Sequence, residues 1–129
     1  MKSIKILLLS QSHIIQLDLS RDDVLGAVEQ AMREHSADSY EMHPKIGVHP
    51  AGTDPDYFIH ATPAYFKQLG ACGLKWVGGF AKNPPHGLPI VTGIQVCNNV
   101  DTGIPLAVMD CAYLTGLRTA AVSTVSALP

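Results

Sequence analysis

Three neighbouring pieces of sequence decide the fold class. They are Ile90-Val91-Thr92-Gly93-Ile94-Gln95-Val96-Cys97-Asn98, then Asp101-Thr102-Gly103, then Pro105-Leu106-Ala107-Val108-Met109-Asp110. Two apolar runs flank a tight-turn signal, which is the pattern of a β-hairpin. Reading backward, residues 83–89 form a loop with three prolines. Residues 73–80 read as a strand with Lys75 in apolar company, and residues 57–61 as another. Residues 42–49 hold a short strand around Ile46 and Val48, and residues 50–55 read as a turn. Residues 4–9 make a first strand, and residues 14–19 a second short extended piece.

Two helices complete the pattern. Ser20 is a good N-cap, and Asp23 three residues on meets the free amides at the positive end of the helix. Val24, Ala27, Val28, Ala31, Met32 and His35 then recur at helical spacing, so the helix is expected to run to about residue 37. Forward of the hairpin, Thr115 is the expected cap of a final helix from Gly116 to about Leu128. That helix has almost no polar face and must be covered on nearly all sides. The expected fold is α+β: one domain over residues 1–129, a mostly antiparallel sheet, an N-terminal helix and a buried C-terminal helix.

Composition narrows the function classes. The 129 residues are 47% hydrophobic and 16% charged, which suits one ordered domain rather than a disordered chain. Nine Lys and Arg against eleven Asp and Glu leave a net charge of −2, so no phosphate-binding footprint and no nucleic-acid partner are expected. No apolar run reaches the roughly 18–20 residues of a membrane span, so no membrane partner is expected. The three cysteines, Cys72, Cys97 and Cys111, are odd in number and lie in apolar company. They read as free thiols of a cytoplasmic protein.

A few side chains stand out chemically. Lys75 lies on a strand with apolar neighbours on both sides; buried there it would have a lowered pKa and act as acid or base, and on the wet face it would be ordinary. Arg118 is the only charge from Cys111 to Pro129 and falls in the first turn of the expected last helix. A cation there does not complement the helix dipole, whereas a guanidinium fork beside free amides suits a carboxylate. The alternative for Arg118 is an ion pair with Asp110 or Asp101. Lys45, between Pro44 and Ile46, is a candidate second cation for the same anion. The histidine and cysteine spacings match no metal site, and no Gly-x-Gly-x-x-Gly is present.

With these residues in place, the order of segments resembles the N-terminal half of the ornithine cyclodeaminase and mu-crystallin family. The resemblance rests on Leu74-Lys75-Trp76-Val77-Gly78-Gly79-Phe80 with Asn83-Pro84 and Gly87-Leu88-Pro89, on residues 101–110, and on Leu114-Thr115-Gly116-Leu117-Arg118-Thr119-Ala120-Ala121. Residues 19–24 and Thr62-Pro63-Ala64-Tyr65 fit as well. It implies a substrate-binding and dimerisation domain, followed in the full protein by a Rossmann domain that binds NAD or NADP. It implies that Arg118 binds the substrate carboxylate and that Lys75 is the catalytic acid or base. Lys45 stands where many members have an arginine on the same carboxylate, and Thr62 stands at the pocket edge where methionine is common.

The implied activity is hydride chemistry at the α-carbon of an amino acid or cyclic imine carrying a carboxylate, in a homodimer. Ornithine cyclodeaminase-like chemistry comes first. The alternatives are an alanine dehydrogenase or ketimine reductase, or a non-catalytic mu-crystallin-like binding protein. The resemblance implies that hydride transfer needs the Rossmann half and that these residues alone are inactive.

Overall fold

The computed structural model describes residues 3–50 and 57–127. Its elements are β1 (Leu7–Leu9), α1 (Gln11–Gln16), α2 (Arg21–Ser36), β2 (Tyr40–Glu41), β3 (Ile46–Val48), β4 (Tyr57–Phe66), β5 (Ala71–Phe80), a 3-10 turn (Pro84–His86), β6 (Val91–Asn98), β7 (Pro105–Asp110) and α3 (Ala112–Ala127). The strands form one seven-stranded sheet in the order β1-β7-β6-β5-β4-β2, with β3 also on β4. Among the described residues only the β1–β7 pairing is parallel; the other pairings are antiparallel. The α+β class, the 90–110 hairpin and the two flanking helices therefore stand as expected. The turn at 50–55 lies, after Pro50, outside the described residues.

Three expectations need correction. Residues 14–19 are not extended, because Ser10 starts a helix at Gln11. Ser10 Oγ accepts the His13 N–H at 3.3 Å, and the Ser10 N–H donates to His13 Nδ1 at 3.2 Å, a reciprocal cap. That turn buries Ile14, which is only 2% exposed. The strand expected to end at residue 61 continues to Phe66 through Pro63. Proline is tolerated there because it falls between Ala61, the last partner of β3, and Tyr65, the first partner of β2, so its missing N–H leaves no ladder bond unmade on that edge.

The last helix begins at Ala112, not Gly116. Asp110 Oδ1 accepts the Ala112 N–H at 3.0 Å, and the Cys111 carbonyl already accepts the Thr115 N–H at 2.8 Å. An acceptor two residues ahead of the helix outcompetes Thr115 as the start, and Arg118 moves from the first turn to the second.

The two faces of the sheet differ. Helices α2 and α3 pack together over the face that carries Lys75. The other face shows Ile46, Ala61, Trp76 and Ile94 as one cross-strand row. Ile46 is 70% exposed and Trp76 47%, with Leu8, Val48, Ile94 and Leu106 also open to solvent. Few apolar side chains are fully enclosed: Ile14, Val77, Ala107, Cys111 and Ala121. Helix α3 is covered along one stripe centred on Ala121 and open elsewhere, less enclosed than its composition asks for. No described helix is long and apolar enough to cross a membrane.

Candidate functional site

Strand pairing lines up the polar floor of a cleft. Thr62 on β4 pairs with Lys75 on β5, and Lys75 pairs with Gln95 on β6. Ile46 pairs with Ala61, so the same register carried one residue further brings Lys45 beside Thr62. The next row inward is Ala64, Gly73 and Cys97. Phe66 and Ala71 follow. Alternation of side chains along a strand puts all of these on one face. Helices α2 and α3 roof the cleft with Val24, Val28, Leu114 and Leu117, and its volume is about 580 Å³. Thr62, Lys75, Gln95 and Arg118 all line it.

Gly93 explains how α3 reaches this position. A Cβ at Gly93 would lie 2.3 Å from the Trp76 carbonyl oxygen and 2.9 Å from Cys111 Sγ. Only glycine lets Cys111 settle directly on β6, and Cys111 is the residue from which α3 departs. Arg118 then projects from the second turn of α3 into the cleft and not from its amide-rich first turn. The first-turn amides of α3 expected beside Arg118 therefore belong to a turn it does not occupy. Nor do the described residues pair Arg118 with an acid: Asp110 instead accepts from Ala112 and from Gln11 Nε2, and the ion pair between described residues is Arg33–Glu29.

The electrostatics converge on Lys75. Burial, then the charge of Arg118 and more weakly that of Lys45, holds its pKa below the usual 10.5; Cys111 acts in the opposite direction. Burial pushes the Cys111 thiol up, so beside Lys75 it is a neutral neighbour near pH 7. Lys75 and Arg118 lie in one largely apolar cleft, with Asp23 of α2 also on its lining, and the charge of Arg118 disfavours the protonated form of Lys75.

Sequence reasoning missed two residues here. Gln95 was read only as part of a strand. His60 lies on the same face two residues from Thr62, stacked on Phe58 at 4.3 Å between ring centroids. Burial, Lys45 and His49 together hold its pKa below the usual 6.5, so it adds no charge at neutral pH. Neither is marked within its own strand; the pairing of β4, β5 and β6 is what sets them on the face of Lys75.

The fold and the cleft define an α+β domain with a lysine of depressed pKa in a largely apolar cleft. The chain belongs to the ornithine cyclodeaminase/mu-crystallin family, whose model matches residues 5–128. It is 41% identical over 118 residues to the nodulation efficiency protein NfeD of Rhizobium meliloti, covering 92% of this chain and 36% of that protein. It is 38% identical over 121 residues to the alanine dehydrogenase of Archaeoglobus fulgidus, covering 94% of this chain and 35% of that protein. Among solved structures, a Thermococcus litoralis Δ1-pyrroline-2-carboxylate reductase in complex with NADH and L-proline superposes with a TM-score of 0.83 at 30% identity, covering 92% of this chain and 36% of the other. The chain thus spans about a third of the length of these relatives.

Proposed function

We propose that this chain is the substrate-binding and dimerisation part of an NAD(P)-dependent enzyme acting at the α-carbon of an amino acid or its imine. The observation that carries the reading is that Lys75 and Arg118 share one cleft, with burial, then Arg118 and more weakly the nearby Lys45, depressing Lys75. Arg118 forks the α-carboxylate, while Lys45 and the Thr62 hydroxyl hold its other side. Lys75, more easily deprotonated than an ordinary lysine, takes a proton from the substrate nitrogen and returns it in the reverse direction. The dinucleotide is bound mainly outside these residues, which include no Gly-x-Gly-x-x-Gly. NAD(P), carried by a Rossmann domain elsewhere in the protein, supplies or removes the hydride at the α-carbon.

Relatives named as cyclodeaminase, dehydrogenase and reductase all match this chain. The clamp and the proton carrier described here serve each chemistry alike. The test is amino-acid-dependent reduction of NAD(P)+ by the protein and by its Lys75→Met variant across pH. Turnover is expected to fall by about 10²–10⁴ in the variant, the usual weight of a general base. The wild-type profile should show a limb below 10.5, because the lysine is depressed, and the variant should lose that limb. A variant that retains half of the wild-type turnover at every pH would sink the role.

The uncovered sheet face is where two copies meet in this reading. A continuous apolar surface of this kind marks a protein interface. Ile94→Glu puts a charge at its centre without touching the cleft, since Ile94 and Gln95 point to opposite faces. Self-association measured by sedimentation is expected to weaken at least a hundredfold. An unchanged dimer would place the interface elsewhere.

A further inference from the structure

We infer that Gln95 selects the substrate by its side chain, favouring amino acids with a hydrogen-bonding oxygen on the β- or γ-carbon over apolar ones of equal size. The inference rests on the carboxylate reading above and adds to it. Gln95 is the third member of the polar row Thr62–Lys75–Gln95, and every floor position further along the cleft is apolar or a thiol: Ala64, Gly73, Cys97, Phe66 and Ala71.

Its side chain does not stay in that row. A Cβ at Gly73 would lie 3.2 Å from Gln95 Nε2, so the amide leans over the space that glycine leaves open on β5. Nε2 reaches the Val96 carbonyl oxygen at 3.4 Å, a long contact that leaves its second hydrogen for another acceptor. The amide therefore hangs between the cationic row and the apolar row beside it.

A substrate clamped through its α-carboxylate by Arg118, with Thr62 on the other side and its nitrogen at Lys75, has one roomy direction for its side chain, along the apolar rows. Successive same-face rows are about 6.6 Å apart, so the β- and γ-atoms pass beside the Gln95 amide. An oxygen there takes its hydrogen. A methyl there leaves a polar group covered and unpaired, and sites built this way discriminate strongly against the analogue lacking the partner.

The test uses two near-isosteric pairs, L-asparagine with L-leucine and L-threonine with L-valine. Each is titrated calorimetrically into the protein in the presence of NADH or NADPH, with which an amino acid cannot react. Wild type is expected to bind the oxygen-bearing member of each pair at least tenfold more tightly. Gln95→Leu should bring that ratio to one or below without weakening the apolar member, and Gln95→Asn, which keeps a shorter amide, should fall between. A wild type with no preference, or a Gln95→Leu variant that keeps one, overturns the inference. If amino acids bind and Arg118→Met abolishes their binding while the ratio ignores position 95, selection by Gln95 alone has failed. If no amino acid binds at all, the carboxylate reading fails and this inference falls with it.

Discussion

Replacing Arg118 with methionine is expected to weaken binding of the substrate carboxylate about a hundredfold, or roughly 3 kcal/mol, the usual cost of removing one partner of a hydrogen-bonded charge pair. Methionine keeps the length and apolar stem of the side chain, so α3 should pack as before. What it removes is the fork. Lysine restores the charge without the fork, and Arg118→Lys should recover only part of the affinity. The same variant makes a second, independent statement. Arg118 is one of the charges that depress Lys75, after burial itself. Removing it raises the Lys75 pKa toward, but not to, 10.5, because burial persists. The alkaline limb of the pH profile should therefore move upward in Arg118→Met. A bound carboxylate acts in the same direction, so binding to wild type at alkaline pH should take up protons, and calorimetry in buffers of different ionisation enthalpy reads that uptake directly. Unchanged affinity with an unmoved limb would remove Arg118 from the site.

The sequence was most legible where local chemistry and tertiary structure agree. Alternation and turn residues placed β5, β6 and β7, and the Ser20–Asp23 cap placed α2: Asp23 N–H donates to Ser20 Oγ at 3.1 Å. It was least legible where a side chain satisfied backbone groups that pattern reading does not count. Ser10 with His13 turned an apparent strand into α1, and Asp110 started α3 four residues early. The error at α3 carried into the site, since the free amides imagined beside Arg118 belong to a turn it does not occupy. Lys45, Thr62, Lys75 and Arg118 were singled out one at a time. That the first three share a row was invisible, because register between β3, β4 and β5 is fixed by pairing over long separations. Gln95 and His60 were missed for the same reason: each is unremarkable in its own strand and informative only beside its cross-strand neighbour.

Glu34 carries the largest expected effect on stability, and no sequence pattern announced it. It sits on α2 at 1% exposure, the most enclosed charged side chain among the described residues. Its two carboxylate oxygens divide the work: Oε2 accepts the Gln68 N–H at 2.9 Å and Oε1 accepts the Leu69 N–H at 2.8 Å. Gln68 and Leu69 form the turn between β4 and β5, and its remaining support from α2 is the exposed Gln30–Gln68 contact at 3.3 Å. A carboxylate enclosed without partners would be intolerable, so the two amides make its burial possible, and the carboxylate does the same for them. Glu34→Ala leaves two backbone donors covered and unpaired and opens a cavity where the side chain stood. The expected loss is about 3–5 kcal/mol of unfolding free energy, read from denaturant midpoints. Glu34→Gln keeps the shape but turns an NH2 toward an N–H, and should lose about half as much. The consequence reaches the site through the strands. That turn joins β4, which carries Thr62, to β5, which carries Lys75, and it ties both to α2, which roofs the cleft. At temperatures where Glu34→Gln remains folded, carboxylate affinity should fall while the Lys75 limb keeps its position, because no charge near Lys75 has changed. A loss below 1 kcal/mol in Glu34→Ala would show that the turn holds its place without this carboxylate.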